Sequence, residues 1–241
     1  MNRVAERERF AVLYPEQDRL SNLHGCWHWF DLDSGRAQAE AASVLRAIDH
    51  VCLQHPLDPA VVAIAGLSAG ASLAVLLAVA HPARFCAVAM HSGVPAGAAH
   101  SAAGALRAMR GRGPSVALPP WPGAVRGETA RWPPLLALHG TGDAIVAAIN
   151  GRSAALRWAE ASGATAQPVR ELQRGRRHAL RICDFKLGRR TAVSWVEVVG
   201  LGHAWSGGAA GQRHSDPRGP DASRLVWRFV AKQLGKAVAA A

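Results

Sequence analysis

The stretch Val61-Val62-Ala63-Ile64-Ala65-Gly66-Leu67-Ser68-Ala69-Gly70-Ala71-Ser72-Leu73-Ala74-Val75-Leu76-Leu77 decides how the rest of the chain is read. An apolar, β-branched run ends at Gly66, a G-x-S-x-G follows, and after it comes an Ala/Leu run with no helix breaker. That order spells strand, sharp turn, helix. Ser68 falls at the tip of the turn, with Gly66 and Gly70 leaving room for strand and helix to approach each other. Its hydroxyl is presented at a helix N-terminus, where free N–H groups can hold negative charge. A bare G-x-S-x-G is a weak signal in a chain with 24 Gly. The strand before it and the helix after it give it weight.

Outward from this turn the pattern repeats. Upstream, Phe10–Tyr14 reads as a short buried strand stopped by Pro15. From Ala37 to His55, apolar residues at Ala41, Val44, Leu45, Ile48, Val51 and Cys52 mark one helix face, ended by Pro56 and Asp58-Pro59. The helix Ala69–Ala80 is apolar all round and so should be deeply buried. Downstream, Phe85–Met90, Leu135–His139 and Thr191–Val199 read as buried strands. Helices are expected over 95–110 and 146–161, and a last one, capped by Asp221 or Ser223, runs to about Leu234. Residues 111–134, dense in Pro and Gly, suggest an irregular loop or cap over the site. Residues 165–190 suggest a basic hairpin turning at Lys186-Leu187-Gly188. Alternating helices and buried strands predict an α/β chain: a mostly parallel sheet with helices on both faces. Such sheets bind ligands at the C-terminal edges of their strands. Ser68, Asp143 and His203 each fall just after a strand.

Composition narrows the class. At 241 residues, residues 1–241 are expected to form one domain with a substantial core. A hydrophobic share of 49% with 19% charged excludes disorder. No apolar run is long enough to span a membrane. The start, Met1 to Arg9, has no apolar core, so no secretion signal is visible. Cys26, Cys52, Cys86 and Cys183 form no C-x-x-C pair, which argues against zinc. His24, Cys26 and His28 lie close together but lack a fourth ligand, so no metal is expected. Cys52 and Cys86, inside apolar runs, read as small buried hydrophobes.

The net charge of +11 raises a nucleic-acid reading. Its Arg residues are spread along the chain, with one dense patch at Arg174-Gly175-Arg176-Arg177-His178 and a pair at Arg189-Arg190. There is one Tyr and no aromatic-interleaved basic motif. A solvated basic face is the better account, and no nucleic-acid partner is expected.

A serine hydroxyl needs a base to take its proton, and the base needs a partner to fix its tautomer. The carboxylates between Ser68 and His203 are Glu128, Asp143, Glu160, Glu171, Asp184 and Glu197. Only Asp143 lies in a short loop directly after a buried strand. Glu160 belongs to an amphipathic helix and Glu197 lies mid-strand. Asp184 is the runner-up, though its basic setting suggests a surface ion pair. Among the histidines, His81 fits a helix C-cap, His139 a hydrogen-bonded structural residue, and His91 could line the site. His203 stands apart, following the last strand in an open, glycine-flanked segment.

Several segments now carry a resemblance. They are Leu13-Tyr14-Pro15-Glu16-Gln17, Cys26-Trp27-His28-Trp29-Phe30, Ala65-Gly66-Leu67-Ser68-Ala69-Gly70, His91-Ser92-Gly93, His139-Gly140-Thr141-Gly142-Asp143, Gly200-Leu201-Gly202-His203-Ala204-Trp205-Ser206-Gly207-Gly208 and Asp216-Pro217-Arg218-Gly219-Pro220-Asp221-Ala222-Ser223. In that order, and over nearly the whole chain, they resemble the esterase family of polyhydroxybutyrate (PHB) depolymerases, which are α/β-hydrolases. The resemblance implies Ser68 as nucleophile, Asp143 as orienting acid and His203 as general base. It implies hydrolysis of short-chain hydroxyalkanoate polyesters, or of related esters such as acylated polysaccharides, with no metal or organic cofactor and an extracellular setting. Trp205 is equally a groove-lining residue for the ester or a residue packed under its loop. Trp27 and Trp29 read as core packing.

The pattern departs at the front. One oxyanion N–H comes from the residue after the nucleophile, here Ala69, and the other from a loop after an earlier strand. In the family that strand ends in His-Gly-Cys, ahead of the Tyr-Pro-Glu-Gln segment. This chain shows no such stretch, so the leading strands and half the oxyanion hole are expected to be missing. One such donor is worth roughly 2.7–4 kcal/mol. Cys26 would then be left without a disulfide partner. Two further readings follow: a catalytically impaired, truncated remnant, and, from charge alone, a nucleic-acid binder.

Overall fold

The computed structural model describes residues 1–119 and 132–237. Two helices come first, α1 (Asn2–Glu8) and α2 (Arg36–Gln54). Then β1 (Ala63–Leu67) runs through the serine turn into α3 (Ala69–Ala80). β2 (Ala87–His91), α4 (Ala102–Met109), β3 (Leu135–Gly140) and α5 (Ile149–Ala161) follow. Four strands come next, β4 (Thr165–Ala166), β5 (Arg170–Leu172), β6 (Leu180–Leu187) and β7 (Arg190–Val198). The chain closes with a small pair, β8 (Trp205–Ser206) and β9 (Ser215–Asp216), and with α6 (Ala222–Ala237).

Seven strands form one sheet in the order β1-β2-β3-β7-β6-β4, with β5 also on β6. β1, β2, β3 and β7 run parallel, while β4, β5 and β6 form an antiparallel extension. β1 is therefore an edge strand among the described residues.

The strand sequences carry two cores because side chains alternate across the pleat. Val88, Met90, Leu135, Ala137, Val193 and Trp195 face α2, α3 and α5. Ala87, Ala89, Leu136, Leu138, Val196 and Val198 face α6, through Val226, Phe229 and Val230. Asp221 accepts the N–H of Arg224 at 3.0 Å and so caps α6. No helix among the described residues is long and apolar enough to cross a membrane.

Two expectations are corrected. Phe10–Tyr14 is not a strand: Phe10 stacks on Trp227 at 4.5 Å, and Leu13 and Tyr14 are exposed. Five apolar residues next to a proline can be held by one ring contact as readily as by a ladder. The hairpin expected over 165–190 is a three-stranded addition to the main sheet, with its turn at Gly188 in positive φ. The expected cap over 111–134 falls partly on 120–131, which lie outside the described residues, as does Glu128.

Candidate active site

The turn after β1 holds Ser68 at φ 55°, ψ −123°, a conformation that costs free energy for any L-residue. Neighbouring bonds fix it there. Ser68 N–H donates to the His91 carbonyl at 2.9 Å, and its own carbonyl accepts from Ala71 and Ser72 at 3.0 Å. A Cβ on Gly66 would sit 2.2 Å from the Gly70 carbonyl oxygen, so only glycine fits. Gly70 does not share this constraint, since a Cβ there would meet only Trp27 Cδ1 at 3.9 Å. The close approach of strand and helix rests on Gly66 alone.

The loops after β3 and β7 are tied together. A Cβ on Gly140 would lie 2.1 Å from the Leu201 carbonyl oxygen, Gly142 N–H donates to that oxygen at 3.0 Å, and Gly200 N–H donates to Thr141 Oγ1 at 2.8 Å. This lacing sets Asp143 against His203. His203 Nδ1 lies 2.8 Å from Asp143 Oδ2, and His203 Nε2 lies 2.9 Å from Ser68 Oγ. An ionised carboxylate only accepts, so Nδ1 carries the proton and Nε2 is free to accept from the serine hydroxyl.

Asp143 is buried and well supplied with donors. Its Oδ1 accepts from Ile145 and Val146 N–H at 3.0 and 2.8 Å. Its Oδ2 also lies 3.4 Å from His139 Nε2. Burial works to raise its pKa, but the hydrogen bonds from His139, His203 and Val146 outweigh that and hold the carboxyl well below the usual carboxylate range. The site therefore keeps a charged, oriented acid behind the imidazole.

Two further histidines, the first expected to be a hydrogen-bonded structural residue and the second to line the site, support this arrangement. His139, fully buried, donates from Nε2 to the Val146 carbonyl at 2.8 Å. Its Nδ1 faces Gly151, where any Cβ would come within 2.8 Å. His91 accepts from Ser206 N–H through Nε2 at 3.3 Å and reaches Ser92 Oγ from Nδ1 at 3.1 Å. Its ring stacks on Trp205 at 5.3 Å. The only signal for either was a histidine at the end of an apolar strand.

Burial, reinforced by His139 and His203 nearby, pushes the His91 pKa down to about 3. The unfolded chain takes up that proton near 6.5, so the fold loses stability as pH falls from 6.5 toward 3. The slope from this group is on the order of 1.4 kcal/mol per pH unit. Urea unfolding at stepped pH should show that slope in the native chain and a flatter profile in His91→Gln. Parallel profiles would refute the assignment.

Trp205 packs under its loop: besides stacking on His91 it donates from Nε1 to Ser223 Oγ at 3.2 Å and joins the α6 core. The segment lying against the serine turn is Cys26–Phe30. Trp27 sits by Gly70 and packs on the main core, and Trp29 is buried with Val94 beside Ala69. His28 is tied to Glu40 at 2.6 Å and to Asn22 at 3.1 Å. Among the described residues no group of three or more His, Cys, Asp or Glu side chains is arranged to hold a metal, and all four cysteines are free. Asp184 bonds Arg170 at 2.6 Å and Ser194 at 2.8 Å, far from His203 in role. Two grooves of about 330 and 530 Å³ border α5, and neither is lined by Ser68, Asp143 or His203.

Comparison with known proteins adds three findings. A family model described as esterase PHB depolymerase matches residues 1–167, a span that holds Ser68 and Asp143. Poly(3-hydroxyalkanoate) depolymerase C of Paucimonas lemoignei is 32% identical over 154 residues, which is 61% of this chain and 36% of that protein's length. Among solved structures, acetyl xylan esterase from Aspergillus awamori matches with a TM-score of 0.57 at 18% identity, over 74% of this chain and 68% of that one. SOBER1 of Arabidopsis thaliana matches with a TM-score of 0.51 at 16% identity, over 95% and 87%. These likenesses are of fold, and the fold is that of the α/β-hydrolases.

Proposed function

This chain belongs to the esterase PHB depolymerase family, and from that premise we propose that it hydrolyses carboxylic esters through a serine acyl-enzyme. The observation that carries the reading is the hydrogen-bonded run from Ser68 Oγ through the His203 ring to Asp143. Ser68 Oγ attacks the ester carbonyl as its proton passes to His203 Nε2, while Asp143 holds the Nδ1–H and steadies the imidazolium. The Ala69 N–H, at the head of α3 where no intrahelical acceptor exists, faces the oxyanion. His203 then protonates the departing alcohol, and the reverse sequence with water releases the acid. The steps as written use no cofactor.

The relative's name points to hydroxyalkanoate polyesters as the substrate class, with related acyl esters beside it. Trp205 then serves to hold the His203 loop rather than to line the ester groove.

A fluorophosphonate probe and 4-nitrophenyl butyrate test this reading. One adduct per chain on Ser68 with steady turnover is the expected result. Neither adduct nor turnover overturns it.

A further inference from the structure

The dense basic patch at 174–178 lies in the turn that leads into β6, at the sheet edge that carries His203. β6 begins at Leu180, which pairs with Val198, two residues before Gly200-Leu201-Gly202-His203. The turn from β5 into β6 is therefore at the same sheet edge as the candidate site. Val199 N–H donates to the Ala179 carbonyl at 2.9 Å, and His178 N–H to the Arg218 carbonyl at 3.1 Å. The His178 ring bonds Asp216 at 3.1 Å and lies 3.6 Å from where a Cβ of Gly200 would sit. On the other flank, His214 meets His203 edge-on at 6.0 Å, and the exposed Arg213 immediately precedes it in the chain.

Two cations of the antiparallel extension are neutralised, Arg170 by Asp184 and Arg181 by Glu171. The carboxylates nearest the loop are also engaged, Asp216 by His178 and Arg218, and Asp221 by Arg224. Arg174, Arg176, Arg177 and Arg213 are exposed and have no ion pair among the described residues. These four unpaired guanidiniums sit on the two segments that flank the loop carrying the candidate base, while other unpaired ones, such as Arg107, Arg110, Arg112 and Arg189, lie elsewhere along the chain. A guanidinium fork matches a carboxylate, and a one-signed rim raises the local concentration of an oppositely charged substrate.

Resting on the ester-hydrolase reading above, we propose that Arg174, Arg176, Arg177 and Arg213 bind a carboxylate carried by the substrate, so that the site prefers anionic esters. Two sources share this chemistry: the acid terminus of a hydroxyalkanoate oligomer, and the uronic-acid units of an acylated polysaccharide. Both put a carboxylate on the part of the substrate that extends beyond the scissile ester.

The test compares matched pairs at low and high salt. One pair is a 3-hydroxybutyrate oligomer as free acid and as its terminal amide; the other is an acetylated uronic-acid oligosaccharide and its neutral counterpart. At low salt, kcat/KM for the acid member of at least one pair should exceed its neutral twin by about tenfold, converging near 0.5 M salt as screening shortens to a few ångströms. The pair that shows the preference identifies the source. The triple variant Arg174→Gln, Arg176→Gln, Arg177→Gln should lose most of the preference yet keep its rate on 4-nitrophenyl butyrate. Arg189→Gln, at the far end of β6, should keep the preference. Equal rates within both pairs, or a full preference in the triple variant, overturn the proposal. Should no ester be hydrolysed at all, the hydrolase reading falls. Calorimetry on Ser68→Ala then decides the carboxylate question: about tenfold tighter binding of an acid member upholds it and equal binding overturns it.

Discussion

Ser68→Ala is expected to lower kcat on 4-nitrophenyl butyrate by about 10⁴–10⁶-fold while leaving the folded chain in place. The size follows from what is removed. Without Oγ there is no atom to form the acyl bond, and His203 Nε2 is left with no proton to take. The small structural effect follows from what remains. The Ser68 side chain makes no helix-capping bond, and the strained turn is held by backbone bonds to His91, Ala71 and Ser72 that alanine keeps. Only the 2.9 Å bond to His203 is lost, worth about 1 kcal/mol. Circular dichroism melts of the two proteins should nearly superimpose. Equal hydrolysis rates would remove Ser68 from the reaction, and with it the reading of the whole site.

The parts of the molecule that were legible in the sequence are those where one physical signal dominates. The run from Val61 through Leu77 reads correctly because a β-branched strand, a glycine forced by close approach and an unbroken apolar helix agree. The helix near 37–55 is legible from its periodic face, and the structure bounds it at Arg36–Gln54. Phe10–Tyr14 was misread because a five-residue apolar run has no length to discriminate strand from ring packing. β4 and β5 were obscure because every residue in them is exposed, which erases the alternation that marks a half-buried strand. Asp143 and His203 could be picked out by their strand-end positions. His139 was legible as a hydrogen-bonded structural residue and His91 as one near the site, but not their partners Val146 and Ser206, which no local spacing encodes. Gly140 was invisible for the same reason: its need is set by Leu201, far along the chain.

Asp143→Asn is expected to lower kcat by about 10⁴-fold with less change in KM. The substitution is nearly isosteric, and an amide oxygen placed at the Oδ1 position still accepts from Ile145 and Val146 N–H. The amide nitrogen then replaces Oδ2, facing His203 Nδ1. A nitrogen that donates there makes Nδ1 the acceptor and moves the imidazole proton to Nε2, so the ring donates toward Ser68 instead of taking its proton. The same nitrogen also meets the His139 Nε2–H, which already points at the Val146 carbonyl, setting two donors against each other in a buried space. Flipping the amide relieves that contact only by turning the nitrogen toward the two backbone N–H groups. The variant should therefore melt somewhat lower than the native chain as well as react slowly. Raising the pH should restore part of the rate, because hydroxide can deprotonate the serine directly. Steady-state kinetics across pH, read beside thermal melts, checks both effects. A variant that keeps native kcat would show that the 2.8 Å contact between Asp143 and His203 plays no part in preparing the base.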